Sequence, residues 1–130
     1  MSRGTFLALS FLISLAACQK NPNNTESKTS CTHYDQVDKE MLDLINKIEQ
    51  KYAGEKRFID RLTEAQVYWV QYRDRQVRAL FPRDVKDYKK EHGESYFVCK
   101  CDELIRLTNL RIAELNRWME GSSDCPNSIR

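Results

Sequence analysis

Five cysteines, two histidines and nineteen acidic side chains make up most of the reactive inventory of this chain. The densest grouping is Cys99-Lys100-Cys101, with His92 a short way upstream. Sulfur and imidazole together can bind zinc or run thiol–disulfide chemistry. Cysteines two apart on a helix point to different faces, however, which suits a buried staple better than a chelate. With two histidines and no Cys-x-x-Cys, no metal centre is expected. Catalysis would need an activated nucleophile or paired carboxylates around a pocket, and no motif signals either. Four glycines leave no Gly-rich phosphate loop. The expectation is a protein that is not an enzyme and carries no cofactor.

The charges balance: 21 Lys and Arg against 19 Asp and Glu give +2 over 130 residues. Nucleic-acid binders concentrate excess positive charge, so no nucleic-acid partner is expected. Eleven apolar residues crowd into the first seventeen positions, chiefly Phe6–Ile13 behind the single cation Arg3. That run is shorter than the ~20 residues a permanent span requires, and it reads as a secretory signal over residues 1–17. Leu15-Ala16-Ala17-Cys18 resembles the lipobox of bacterial lipoprotein precursors, in which the cysteine becomes the acylated (palmitate-bearing) first residue. Residues 19–30 hold no aliphatic or aromatic side chain, so 18–30 is expected to be an anchored, disordered tether. Gln19 stands where an Asp would retain the protein at an inner membrane, favouring an outer membrane of the envelope.

Beyond Tyr34 the periodicity is helical. Val37, Met41, Leu44, Ile45, Ile48 and Tyr52 recur at steps of three and four, and Gly54 marks a stop. A second helix is predicted over 55–80, with Phe58, Leu62, Ala65, Trp69, Tyr72 and Leu80 on its apolar stripe and Pro82 ending it. A third, over 97–120, gathers Cys101, Leu104, Ile105, Thr108, Ile112, Leu115 and Met119 and stops at Gly121. The prediction is an all-α, antiparallel three-helix bundle over 31–121, with a tail from 122 to 130. The connection 81–96 is either a functional loop or a solvated crossover with one helical turn near Val85–Lys89.

In an up-down-up bundle the first and third helices start at the same end. Cys31 can then meet Cys99 or Cys101. Cys125 lies past the far end, and the few tail residues cannot return along the helix. One bridge is expected, from Cys31 to Cys99 or Cys101, with Cys125 bonded to neither.

Two motifs are more specific. The second helix carries L-x-x-A-Q-x-x-W-x-x-Y-R-D over residues 62–74, and the third carries L-T-x-x-R-x-x-E-L over 107–115. Together they resemble the LprI-like lysozyme-inhibitor family of small helical bacterial envelope domains. The chain departs from that pattern twice: Asp38-Lys39-Glu40-Met41-Leu42 lacks the Asn of the first-helix element, and Val77 stands where a Cys is common. On a helix, Gln66, Trp69 and Arg73 share a face. Trp69 would fill the core, with Gln66 and Arg73 bordering it and drawing partners from Asp38, Thr108 or Glu114. Asp74 would face Arg78. The motif residues Asp38, Gln66, Trp69, Tyr72, Arg73, Asp74, Thr108, Arg111 and Glu114 thus read as architecture.

The resemblance implies a membrane-tethered binding protein whose partner is lysozyme or another cell-wall hydrolase. Such hydrolases use two carboxylates in a cleft, which an inhibitor can occupy with cations or hydroxyls. The candidate contact is the 81–96 connection, through Arg83, Lys86, Lys89, Lys90, His92 and Ser95. The alternative is a structural or assembly lipoprotein, for which Tyr68, Val70 and Leu110 are the surface candidates.

Overall fold

No residue between Pro22 and Gly54 breaks a helix, and the first helix takes up nearly all of that interval. A computed structural model describes residues 24–121, with side chains from 31 onward. Helix α1 spans Asn24–Lys51, α2 Lys56–Leu80, α3 Val85–His92 and α4 Ser95–Glu120. No strand occurs among the described residues. Helix α1 starts ten positions before Tyr34 and takes in residues that composition assigns to the tether. Polarity signals the lack of a core-facing stripe there, but it does not terminate a helix already nucleated and packed further on. The expected signal, the site at Cys18 and the tail lie outside the described residues.

Helices α1 and α4 run parallel. Cys31 and Cys101 join their starts through a disulfide with Cα atoms 5.1 Å apart. At the other end, Tyr52 Oη donates to the Trp118 carbonyl at 3.1 Å, and Lys51 Nζ donates to the Met119 carbonyl. Helix α2 returns antiparallel, with Phe58 edge-on to Trp118 at that far end and Arg73 against Asp38 near the disulfide. The core is Val37, Met41, Leu44, Ile45 and Ile48 of α1, Leu62 of α2, and Ile112 and Leu115 of α4. Ile48 and Leu115 are wholly enclosed, and burying each contributes ~1.5–3 kcal/mol.

Among the described residues four helices replace the expected three, because the 81–96 connection contains a helix of its own. Tyr88 of α3 stacks on Tyr96 of α4 (centroids 4.8 Å, planes 7° apart), and Phe81 meets both rings edge-on at 5.8 and 5.3 Å. This second, aromatic core pins α3 to the end of α2 and the start of α4 and gives a short helix the tertiary support it needs. Gly93, at φ 56°, turns the chain from α3 into α4 while its amide donates to the Lys89 carbonyl at 3.0 Å.

The stripe expected on α2 also needs correcting. Tyr72 and Leu80 are half exposed (52% and 51%), whereas Arg73 and Val77 are buried. The inward row is Phe58, Leu62, Gln66, Trp69, Arg73 and Val77, at steps of four and three. A charged residue thus fills a core position that hydropathy alone would give to its neighbour.

Candidate functional site

Trp69 is the hub of the motif. It packs against the core cluster, with the Arg73 guanidinium 5.2 Å and the Arg111 guanidinium 5.9 Å from its ring centroid. Each contact places a cation against the negative face of the indole, worth ~0.5–2 kcal/mol as desolvation increases. The two arginines reach this layer from different helices, and each finds a carboxylate.

Arg73 Nη1 donates to Asp38 Oδ1 at 2.7 Å, linking α2 to α1, and its Nε lies 3.4 Å from Asp74 Oδ1. Asp74 is therefore turned toward Arg73, not toward Arg78 as expected from helix spacing. Tyr34 donates to the same Asp38 oxygen at 3.4 Å. Burial pushes the Tyr34 phenol above its ordinary pKa; nearby Arg73 pulls it back and Asp38 adds to the rise. Arg111 Nε donates to Gln66 Oε1 at 3.1 Å, and its Nη1 donates to Glu114 Oε2 at 2.7 Å. Gln66 completes its pairing with a contact from Nε2 to the Met41 sulfur at 3.5 Å.

The expected partnership of Arg73 with Asp38 is present. Gln66 turns instead to Arg111, while Glu114 serves Arg111 and Thr108 engages neither Gln66 nor Arg73. Sequence spacing placed Arg111 in the motif without revealing this role; an arginine between Thr108 and Leu115 at steps of three and four, on the apolar stripe of α4, was the available signal. The Thr108 hydroxyl and Arg111 Nη2 are buried without a hydrogen-bond partner. These side chains tie three helices together. Among the described residues no three His, Cys, Asp or Glu side chains gather to hold a metal ion. Cys101 takes the expected bridge to Cys31, and Cys99 is disulfide-bonded as well, a second bridge where one was expected, so neither offers a thiol ligand. Cys125 lies outside the described residues.

The expected contact segment is more ordered than a loop. Arg83 grips Glu91 with two parallel hydrogen bonds, at 2.8 and 2.9 Å, and lies 4.7 Å from the Tyr88 ring centroid. The bond from Arg83 holds the Glu91 carboxyl below its usual pKa, and Glu91 in turn raises that of Arg83. Lys89 Nζ lies 4.0 Å from Glu94 and 6.0 Å from the Phe97 ring centroid. His92 is 3.5 Å from Glu91, and Ser95 Oγ donates to the His92 carbonyl. Lys86 reaches to only 3.9 Å of Asp84 and is largely exposed, as is Lys90. The cap is thus a braced helix that projects Lys86 and Lys90.

Between α1 and α4, a groove of about 340 Å³ is lined by residues that include Lys39, Glu40, Asp43, Lys47, Ile112 and Asn116. On α2 and α4, Tyr68 and Leu110 are exposed as expected, whereas Val70 is half-buried. Among the described residues no helix is long and apolar enough to cross a membrane.

The comparisons with known proteins agree with the motif. A family profile described as lysozyme inhibitor LprI matches residues 18–115, which include α1, α2, α3 and the buried layer around Trp69. No curated protein and no solved structure matches the chain. Because the match covers most of the sequence and both arginine-bearing motifs, the chain belongs to the LprI lysozyme-inhibitor family, a family of inhibitors and not of enzymes.

Proposed function

We propose that this protein is a lipid-anchored envelope protein that blocks a lysozyme-type cell-wall hydrolase by protein–protein contact. Family membership over residues 18–115 is the observation that carries the reading. The matched region begins at Cys18, the residue that the lipobox-like sequence would make the acylated first residue of the mature chain. Gln19 in place of Asp favours residence at the outer membrane.

The α3 cap is the contact surface in this reading. A hydrolase cleft with two carboxylates attracts a cation presented on a rigid support, because little conformational entropy is lost on docking. Lys86 and Lys90 supply the cations. The Arg83–Glu91 bracket and the Tyr88–Tyr96 stack supply the rigidity. Affinity comes from local fit, since a slightly basic protein gains no long-range steering toward a cationic lysozyme.

The test is a turbidity assay of lysozyme acting on cell walls, with the purified protein in excess. Slowed lysis supports inhibition. Unchanged lysis removes it, and copurification of a defined envelope complex would then favour the scaffold reading, with Tyr68 and Leu110 as its surface.

A further inference from the structure

The near-neutral total charge conceals a one-sided distribution. Along α2, Arg57, Arg61, Glu64, Tyr68, Gln71, Arg75 and Arg78 follow at alternating steps of four and three, the spacing of a single helix face. All seven are exposed, and the row lies opposite the buried row that runs from Phe58 to Val77. Its acids are neutralised locally: Glu64 is paired with Arg61 at 2.6 Å, and Asp60, beside the row, with Lys56 at 2.8 Å. Arg57, Arg75 and Arg78 enter no ion pair among the described residues. By contrast, the exposed charges of α1 (Asp35, Lys39, Glu40, Asp43, Lys47 and Lys51) cancel in sign.

We infer that this arginine-rich face of α2 lies against the phosphate headgroups of the bilayer that holds the anchor, so that the bundle rests on its side. The inference relies on the tethering reading above. Arginine forks match phosphate oxygens, and Tyr68, between the arginine pairs and 63% exposed, has the apolar body and polar tip of an interfacial side chain. Chain length agrees. Asn24, where α1 begins, is six positions from Cys18, a reach of at most about 20 Å. Arg75 and Arg78 lie at the end of the bundle where α1 starts, fixed there by the Cys31–Cys101 bridge and the Asp38–Arg73 pair. A short leash from that end keeps the flank of the bundle near the lipid.

Neutron reflectometry of the purified mature protein on supported bilayers tests the orientation. Lying flat, two helix diameters give a layer of about 25 Å; standing on end, the 26 residues of α4 require about 40 Å. The expected result is a thin layer on phosphatidylethanolamine with added phosphatidylglycerol and a thick layer on phosphatidylethanolamine alone. The combined variant R57Q/R61Q/R75Q/R78Q, with its helix content checked by circular dichroism, should give the thick layer on both. Equal thickness on the two bilayers, or a variant that still lies flat on anionic lipid, would overturn the inference. A chain that fails to coat the zwitterionic bilayer lacks the anchor; the arginine face then stands if a thin layer still forms on anionic lipid, and falls if none does.

Discussion

The Arg73 guanidinium donates to the Asp38 carboxylate across the α1–α2 interface at 2.7 Å, with Arg73 only 8% exposed. Between them these residues connect the first-helix acid to the Tyr-Arg-Asp end of the family motif. Removing the acid leaves a buried cation with Asp74 as its weaker partner at 3.4 Å. Asp38→Ala should therefore lower unfolding stability by ~1–3 kcal/mol. This is below the figure for a fully buried pair, since Asp38 retains a third of its side-chain exposure. Urea unfolding measures it, and an unchanged midpoint would show that the pair contributes nothing.

The disulfide closes a loop between residues 70 apart. Limiting the unfolded chain in this way is worth ~4 kcal/mol on the loop-entropy account. Cys31→Ser should lower the melting temperature markedly, and non-reducing peptide mapping of the parent should recover a peptide linking Cys31 to Cys101. A map that joins Cys31 to Cys99 would shift the register of α4 against α1 by two residues.

Thr108 is fully enclosed and its hydroxyl has no partner. An unpaired buried hydroxyl costs ~1–3 kcal/mol, and an apolar isostere avoids that cost. Thr108→Val should thus be neutral or stabilising by ~1 kcal/mol in thermal unfolding. A clear loss would mean that the hydroxyl serves a partner or a conformation other than this one.

Acid should loosen the cap before the core. The folded-state pKa of Glu91 is lowered, first by its hydrogen bonds to Arg83. The bracket therefore contributes above the carboxyl's unfolded pKa and is lost as pH falls through its folded value. Amide exchange across Val85–His92 should accelerate under acid before exchange in α1 does. Glu91→Gln should give fast exchange in α3 at neutral pH, with little further response to acid. Equal acid sensitivity in the parent and the variant would remove the bracket as its cause.

Much of this architecture was legible because apolar spacing survives translation into packing. Val37, Met41, Ile48, Ile112 and Leu115 stand in the core as their periodicity required. What escaped were positions where a polar residue is buried by virtue of its partners. Arg73 took the core position assigned to Tyr72 because Asp38 and the Trp69 ring neutralise and cover it, and hydropathy carries no information about either. Helix α3 was foreseen only as one turn near Val85–Lys89, and its full length and docking escaped for a related reason. Tyr88 is the lone buried residue of a charged eight-residue helix, so its stacking on Tyr96 could not be read from local periodicity. The Trp69 motif was recognisable by type, but the Gln66–Arg111 pairing across α2 and α4 depends on three-dimensional register.

Inhibition through the α3 cap is tested most directly by comparing lysozyme lysis rates in the presence of the parent protein and of the double variant K86E/K90E. Both substitutions lie on exposed positions outside the Tyr88 stack and the Arg83–Glu91 bracket, so the fold should persist. The account predicts that the parent slows lysis in proportion to its concentration, and that the charge-reversed variant, with the same helix content, loses most of that effect. A variant that inhibits as well as the parent would contradict the account.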